Sequence, residues 1–203
     1  ALNAGVDMDM QGAVFMENMV KSVEEGRVSQ ANIDRAVRRV LEMKYRLGLF
    51  EDPYRYADEA RQEATLYKPE FLEAARDVAR KSMVLLKNDG NVLPLAADAE
   101  RIAVIGPLGD SKTDMIGSWS AAGDRETRPV TVLEGMKAHA GNGVTVQYAK
   151  GASYEFGDEG KTDGFAEALA LAKSSDVVVA VMGEKWDMTG EAASRTSLDL
   201  PGN

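Results

Sequence analysis

The stretch Asp176-Val177-Val178-Val179-Ala180-Val181 sets the fold of the second half of the chain. It is short, apolar and rich in β-branched residues, which predicts a strand buried on both faces of a parallel sheet. A glycine-punctuated acidic loop, residues 182–201, follows directly. Open α/β sheets bind ligands at the carboxyl ends of their strands. We therefore expect this loop to contribute to a functional site.

Two similar apolar runs precede this strand, Ile102–Pro107 and Val144–Tyr148, and they alternate with the helical patterns Val132–Ala140 and Phe165–Ala172. Such alternation predicts a parallel sheet with helices on its faces, an α/β fold. Three strands are too few for a self-sufficient doubly wound domain. We expect this unit to continue beyond the last residue of the chain.

The first half reads mainly as helices. Apolar residues at helical spacing predict helices over Val14–Glu25 and from the N-cap Ser29 to Gly48, and a third begins at Pro69. Short strands are predicted at 6–10 and 84–86. Residues 50–68 have no period and contain Asp-Pro, so they are expected to be an extended linker. The first residues read as the end of a helix already under way.

Composition excludes several functions. The 203 residues carry a net charge of −9, which argues against a nucleic-acid partner. The chain has one histidine and no cysteine, which argues against a structural zinc site and rules out disulfides. No apolar run is long enough to cross a bilayer, and no basic-then-apolar signal segment opens the chain.

The segment after the first strand contains one candidate ligand-binding residue, Trp119, among small and flexible residues. An indole face can stack on a sugar ring, although a loop anchor that is half buried is the alternative. The strand-to-glycine turn at Gly106 could instead cradle a phosphate. Pro107 removes one backbone donor from that turn, and the third glycine of a dinucleotide fingerprint is absent.

Four carboxylates follow the last strand: Glu184, Asp187, Glu191 and Asp199. Cleavage of a glycosidic bond generally needs two carboxyl groups, one to protonate the leaving oxygen and one to attack the anomeric carbon or activate water. Spacing alone does not say which of the four is the acid. A solvated acidic loop without catalysis is the simpler alternative.

The loop Thr189–Pro201 resembles the Ser-Gly-Glu-Gly-x-Asp-Arg-x-x-Leu-x-Leu-Pro stretch of glycoside hydrolase family 3, closest to its periplasmic β-glucosidase members. Further matches occur in the same order and spacing along the chain, at 4–10, 46–50, 82–88, 93–95 and 102–107.

This resemblance implies the C-terminal part of a TIM-like (β/α) barrel over residues 1–49, a linker over 50–68, and an incomplete α/β sandwich with a mostly parallel sheet over 69–203. Glu191 matches the family's general acid/base. Trp119 matches the aromatic residue of a loop beside the leaving-group sugar, and Ser118 and Arg195 are implied to contact substrate. Ala192-Ala193-Ser194 departs from the Gly-x-Asp of many relatives.

The resemblance implies that the chain is one part of a retaining β-glucosidase, which removes terminal β-D-glucosyl residues without metal or cofactor. Its aspartate nucleophile belongs to a Ser-Asp-Trp motif absent from these residues, so they are expected to be inactive without the rest of the barrel. The implied partners are that barrel and a β-glucoside or oligosaccharide, in the periplasm or outside the cell. A homodimer is one candidate assembly.

Two other functions fit the sequence. A carbohydrate-binding or interaction module without catalysis agrees with the missing nucleophile, and a nucleotide-binding α/β domain agrees with the strand-to-glycine turn. The sugar preference cannot be read from these residues, because the resemblance places most of the sugar-selecting residues elsewhere in the barrel.

Overall fold

The computed structural model describes residues 1–96, 98–120 and 123–203, which divide into two units, Ala1–Val84 and Leu85–Asn203. The first unit contains four α-helices: α1 (Val14–Glu24), α2 (Gln30–Arg46), α3 (Glu59–Thr65) and α4 (Pro69–Ser82). As predicted, Ser29 caps α2, where its side chain accepts a hydrogen bond from the Asn32 amide at 3.2 Å. Pro69 begins α4, where a missing N–H costs nothing.

Three predictions for the first 86 residues are wrong. Residues 6–10 and 84–86 are described and form no strand. A strand needs a neighbour to share its hydrogen bonds, and the alternation of side chains does not supply one. Residues 50–68 are not extended throughout, because α3 forms there from the strong helix formers Ala, Glu, Arg and Gln. The domain boundaries at 49 and 68 stay predictions.

The sheet of the second unit consists of β1 (Arg101–Ile105), β2 (Thr145–Ala149) and β3 (Val177–Ala180). All pairings are parallel, and the strand order is β2-β1-β3. Helices α5 (Val132–His139) and α6 (Phe165–Lys173) lie between the strands along the chain. The predicted α/β class with a parallel sheet is therefore confirmed.

The core of the second unit surrounds the central strand β1. Ile102 and Val104 pack with Leu133 of α5 and Val146 of β2. On the opposite face of β1, Ile105 lines an apolar hollow together with α6. Because helices cover both faces of β1, its carboxyl end is fixed in position for the loop that follows.

The prediction that β3 is buried on both faces is wrong. β3 is an edge strand in which Val177 and Val179 are partly buried and pack on the core, whereas Val178 and Ala180 are exposed. A continuous apolar run does not reveal whether both faces of the strand are covered. Among the described helices, none has both the length and the apolar content to cross a membrane.

Candidate active site

Two loops leave the sheet side by side at the carboxyl ends of β1 and β3, because these strands are adjacent and parallel. We name residues 106–131 the β1 loop and residues 181–203 the β3 loop. The Leu108 amide donates to the Val181 carbonyl at 3.3 Å. Gly106 has φ 104°, and a Cβ on it would lie 2.4 Å from the same carbonyl oxygen. Glycine at 106 therefore permits the close approach of the two loops.

Arg125 fixes the turn of the β1 loop that carries Trp119. Its Nη1 donates to the carbonyls of Thr113 at 3.2 Å and Gly117 at 3.0 Å. Its Nη2 donates to Ser120 Oγ at 2.6 Å. The one guanidinium group donates to three acceptors and so holds both ends of the turn, because its planar fork offers donors in fixed directions.

Arg195 is largely buried and connects distant parts of the β3 loop. Its side chain is only 11% exposed, and its Nη1 lies 3.0 Å from Glu184 Oε1. Its Nη2 donates to the Asp199 carbonyl at 2.6 Å, and Nη1 also lies 3.9 Å from the sulfur of buried Met188. The ion pair closes the segment from Glu184 to Arg195, so residues 185–194 lie between its two partners.

Glu191 lies at the tip of this loop. An antiparallel bridge pairs Gly190 with Ala193, so the backbone reverses direction around Glu191. A Cβ on Gly190 would lie 3.4 Å from the Cβ of Ser118, and Gly190 has φ 137°. The tip therefore packs closely on the β1 loop, while the Glu191 side chain is exposed.

Two contacts join the loops at Trp186. Its amide donates to Asp114 Oδ1 at 2.8 Å, and the other oxygen of Asp114 accepts from Ser111 Oγ at 2.5 Å. The guanidinium carbon of Arg125 lies 4.0 Å from the centroid of the Trp186 ring. This distance is well within the range of a cation–π interaction.

The two loops enclose a cleft of about 380 Å³. Trp119 is 74% exposed, so most of its ring is available to a ligand. The two indole rings are suited to stack on a sugar face, and the exposed Glu191 carboxylate beside them is suited to exchange a proton with the sugar. The cleft is lined by Ser118, Trp119, Trp186, Asp187 and residues 189–193.

Three of the four predicted site residues, Ser118, Trp119 and Glu191, line this one cleft. Arg195 instead binds Glu184 and the loop backbone. The catalytic and substrate-binding roles of all four residues stay predictions. The sequence reasoning missed Trp186 and Arg125. Trp186 is the second of only two tryptophans in the chain, and its place shortly after a strand was an available signal.

The other carboxylates of the β3 loop have partners. Glu184 pairs with Arg195, and Asp199 accepts a hydrogen bond from Ser197 at 2.7 Å. Asp187 lies 3.5 Å from Lys185, whose pKa is raised mainly by its hydrogen bond with Glu155. These pairings favour Glu191 among the four candidate acids.

The turn at Gly106 is poorly suited to bind phosphate. The amides of Gly106, Leu108 and Gly109 all donate to backbone carbonyls, and Pro107 has no amide hydrogen. This turn therefore has no backbone donor directed at a ligand. Over residues 1–96, 98–120 and 123–203, no three His, Cys, Asp or Glu side chains converge as a metal site would require.

Sequence comparison agrees with a sugar-cleaving class of protein. Residues 83–203 match the glycosyl hydrolase family 3 C-terminal domain. The chain belongs to glycoside hydrolase family 3.

Two relatives illustrate the range of the family. A periplasmic β-glucosidase of Salmonella typhimurium is 40% identical and aligns with 99% of this chain. A β-xylosidase of Formosa agariphila is 36% identical over 99% of this chain. In both alignments the chain spans 29% of the relative's length.

Solved structures show the same similarity. The β-glucosidase of Listeria innocua in complex with isofagomine superposes with a TM-score of 0.83 at 33% identity, covering 98% of this chain and 26% of that one. A β-glucosidase involved in saponin metabolism from intestinal bacteria gives a TM-score of 0.83 at 32% identity, with coverages of 98% and 30%.

Proposed function

We propose that this chain supplies the acid/base side of the active site of a retaining β-glucosidase, with Glu191 as the general acid/base. The nucleophilic aspartate lies in a barrel outside these residues. The observation that carries the proposal is the exposed Glu191 carboxylate in a cleft shared with Trp119 and Trp186. The name of the Salmonella relative and the match to the family's C-terminal domain support the proposal.

The reaction proceeds in two steps. The aspartate attacks the anomeric carbon while Glu191 gives its proton to the departing glycosidic oxygen. The ionised Glu191 then takes a proton from water, which attacks the same carbon and releases the aspartate. Trp119 and Trp186 hold the leaving group by stacking, and Ser118 offers a hydroxyl to it. Arg195 keeps Glu191 at the loop tip through its pair with Glu184.

A second candidate concerns the sugar. Because the Formosa relative is named a β-xylosidase, the substrate of this protein is either a β-glucoside or a β-xyloside. The cleft described here holds the leaving group, so it leaves this choice open. Parallel assays on aryl β-glucosides and aryl β-xylosides decide it. By the name of the Salmonella relative, we propose a periplasmic location.

The test uses the complete protein, including its barrel, with Glu191→Ala. For a β-glucoside with an alkyl or sugar leaving group, kcat/KM should fall by about 10²–10⁴-fold, because the leaving oxygen then departs unprotonated. For a dinitrophenyl β-glucoside, kcat/KM should be largely retained, since this leaving group needs no proton. The measurement is kcat/KM across a series of leaving groups.

Asp199→Asn is the matched control, because it removes another carboxylate of the β3 loop that does not line the cleft. It should keep the dependence on leaving group of the unmodified protein. Equal losses on all substrates with Glu191→Ala, or no loss at all, would show that Glu191 is not the acid. A protein that binds glucosides without turnover would be a binding module instead.

A further inference from the structure

One guanidinium group connects the two loops of the cleft. Arg125 holds the turn that carries Trp119 through Thr113, Gly117 and Ser120. Its guanidinium carbon lies over the ring of Trp186, 4.0 Å from the ring centroid. Its N–H donors thus bind acceptors within the β1 loop, and the same guanidinium group contacts the β3 loop.

The β3 loop is held at the same place by a second contact. Asp114 of the β1 loop accepts the Trp186 amide at 2.8 Å. Trp186 is therefore fixed through its backbone by Asp114 and through its ring by Arg125. Glu191 follows five residues later on the same loop, whose ends Arg195 clasps. Because Arg125 contacts both loops, a shift of its side chain changes the distance between the Trp119 ring and the Glu191 carboxylate.

We propose that Arg125 is a positioning residue that sets the distance from the Trp119 ring to the Glu191 carboxylate. The proposal rests on the proposed role of Glu191. A leaving group that stacks on Trp119 presents its glycosidic oxygen to Glu191 only at one spacing of the two loops. Proton transfer requires that oxygen within hydrogen-bond reach of the carboxylate, about 2.6–3.2 Å.

The geometry requires arginine rather than any cation. Hydrogen bonds to three separate acceptors and a contact over an aromatic ring need a planar group with several donors. A lysine ammonium can approach the Trp186 ring or one of the carbonyls, but it cannot hold all four partners. Arg125→Lys therefore keeps the positive charge and loses the defined spacing.

The test measures kcat/KM of the complete protein over the same series of leaving groups. Arg125→Ala should lower kcat/KM by about 10- to 100-fold for alkyl or sugar leaving groups, the size of effect that a misplacement near 1 Å causes. It should change kcat/KM little for the dinitrophenyl β-glucoside, and Arg125→Lys should recover only part of the loss. Arg128→Ala, an arginine of the same loop that pairs with Asp124 at 3.9 Å, should behave as the unmodified protein.

A double variant separates this proposal from the assignment of the acid. In a Glu191→Ala background, Arg125→Ala should cause no further loss with poor leaving groups, because there is no proton left to position. If Glu191→Ala shows the dependence on leaving group but Arg125→Ala lowers all substrates equally, Arg125 is merely structural and the proposal fails. If Glu191→Ala itself shows no dependence, the proposed function fails instead.

A second readout uses the 203-residue chain and needs no activity. Both of its tryptophans, Trp119 and Trp186, line the cleft, so their fluorescence reports on this site alone. Arg125→Ala and Arg125→Lys should both increase quenching by acrylamide, because the Trp186 ring loses its cover. Should the alanine variant fail to fold, the lysine variant carries the test. Unchanged quenching in a folded variant would overturn the proposal.

Discussion

The two units of the chain bury their apolar side chains to different degrees. In the second unit, Val104 has no exposed surface and lies within a cluster that joins sheet and helix. In the first unit, the described residues include only two buried apolar side chains, Leu2 and Ala36. Val37 of α2 and Phe71 of α4 remain 49% and 52% exposed. Helical spacing predicts an apolar face, but the coverage of that face depends on neighbours.

This difference implies that the second unit supplies most of the chain's stability. Burial of apolar surface is the main driving force of folding, and the first unit buries little of it within itself. The family resemblance suggests a barrel as the partner of those apolar faces, and that assignment stays a proposal. Core substitutions should therefore have large effects in one unit and small effects in the other.

The largest effect should come from Val104→Ala. Loss of two methyl groups from a fully buried site should lower the free energy of unfolding of the second unit by about 2–3 kcal/mol. Val37→Ala should change it by no more than about 0.5 kcal/mol, as is usual for exposed sites. Urea unfolding of this chain, followed by tryptophan fluorescence and far-UV circular dichroism, measures both. Equal effects in the two variants would contradict the comparison.

A smaller difference should separate the two helix caps. Thr131 is buried, accepts the Glu134 amide at 3.1 Å and donates to Asp110 at 2.8 Å, so Thr131→Ala should cost about 2 kcal/mol. Ser29 caps the exposed start of α2, and Ser29→Ala should cost about 1 kcal/mol or less. Thermal unfolding by circular dichroism compares the two. A larger loss of stability in Ser29→Ala than in Thr131→Ala would contradict the view that the second unit supplies most of the stability.

The smallest expected effect is on the loss of stability at low pH, and it concerns Asp176. Hydrogen bonds and charge from Arg101 lower the pKa of Asp176, which joins the starts of β1 and β3. A carboxyl whose folded pKa is lowered stabilises the fold above its unfolded pKa, and this contribution is lost as pH falls through the folded value. Asp176→Asn should therefore reduce the loss of stability that occurs as pH falls below the ordinary pKa of an aspartate, about 3.9.

Asp7→Asn provides the control in the first unit, where Asp7 pairs with Arg39 at 3.1 Å. The pH dependence of fluorescence-detected unfolding should be unchanged in this variant, because both tryptophans belong to the second unit. An unaltered pH dependence in Asp176→Asn would show that the Arg101 pair contributes nothing measurable.

Local sequence rules predicted most of the secondary structure. Ser29 and Pro69 marked the starts of α2 and α4, and the apolar runs located all three strands of the sheet to within two residues. These features depend on neighbours along the chain. The edge position of β3 and the absence of a strand at residues 6–10 depend on pairing partners, and the sequence does not record those partners directly.

The candidate site was predictable in its residues and less so in its architecture. Glu191 and Trp119 were singled out, and the structure places both on one cleft. Arg125 and Asp114 lie far from Trp186 in sequence, and their contacts exist only once β1 and β3 are adjacent. A charged residue in a loop gives no local sign of what it will contact.

The central claim is that Glu191 acts as acid/base opposite an aspartate in a retaining mechanism. Its most direct test is the product that the complete protein with Glu191→Ala forms from dinitrophenyl β-glucoside in azide. With the base removed, azide should attack the glycosyl-enzyme and restore turnover, and proton NMR should identify β-glucosyl azide. Formation of α-glucosyl azide, or no acceleration by azide in an active variant, would contradict this claim.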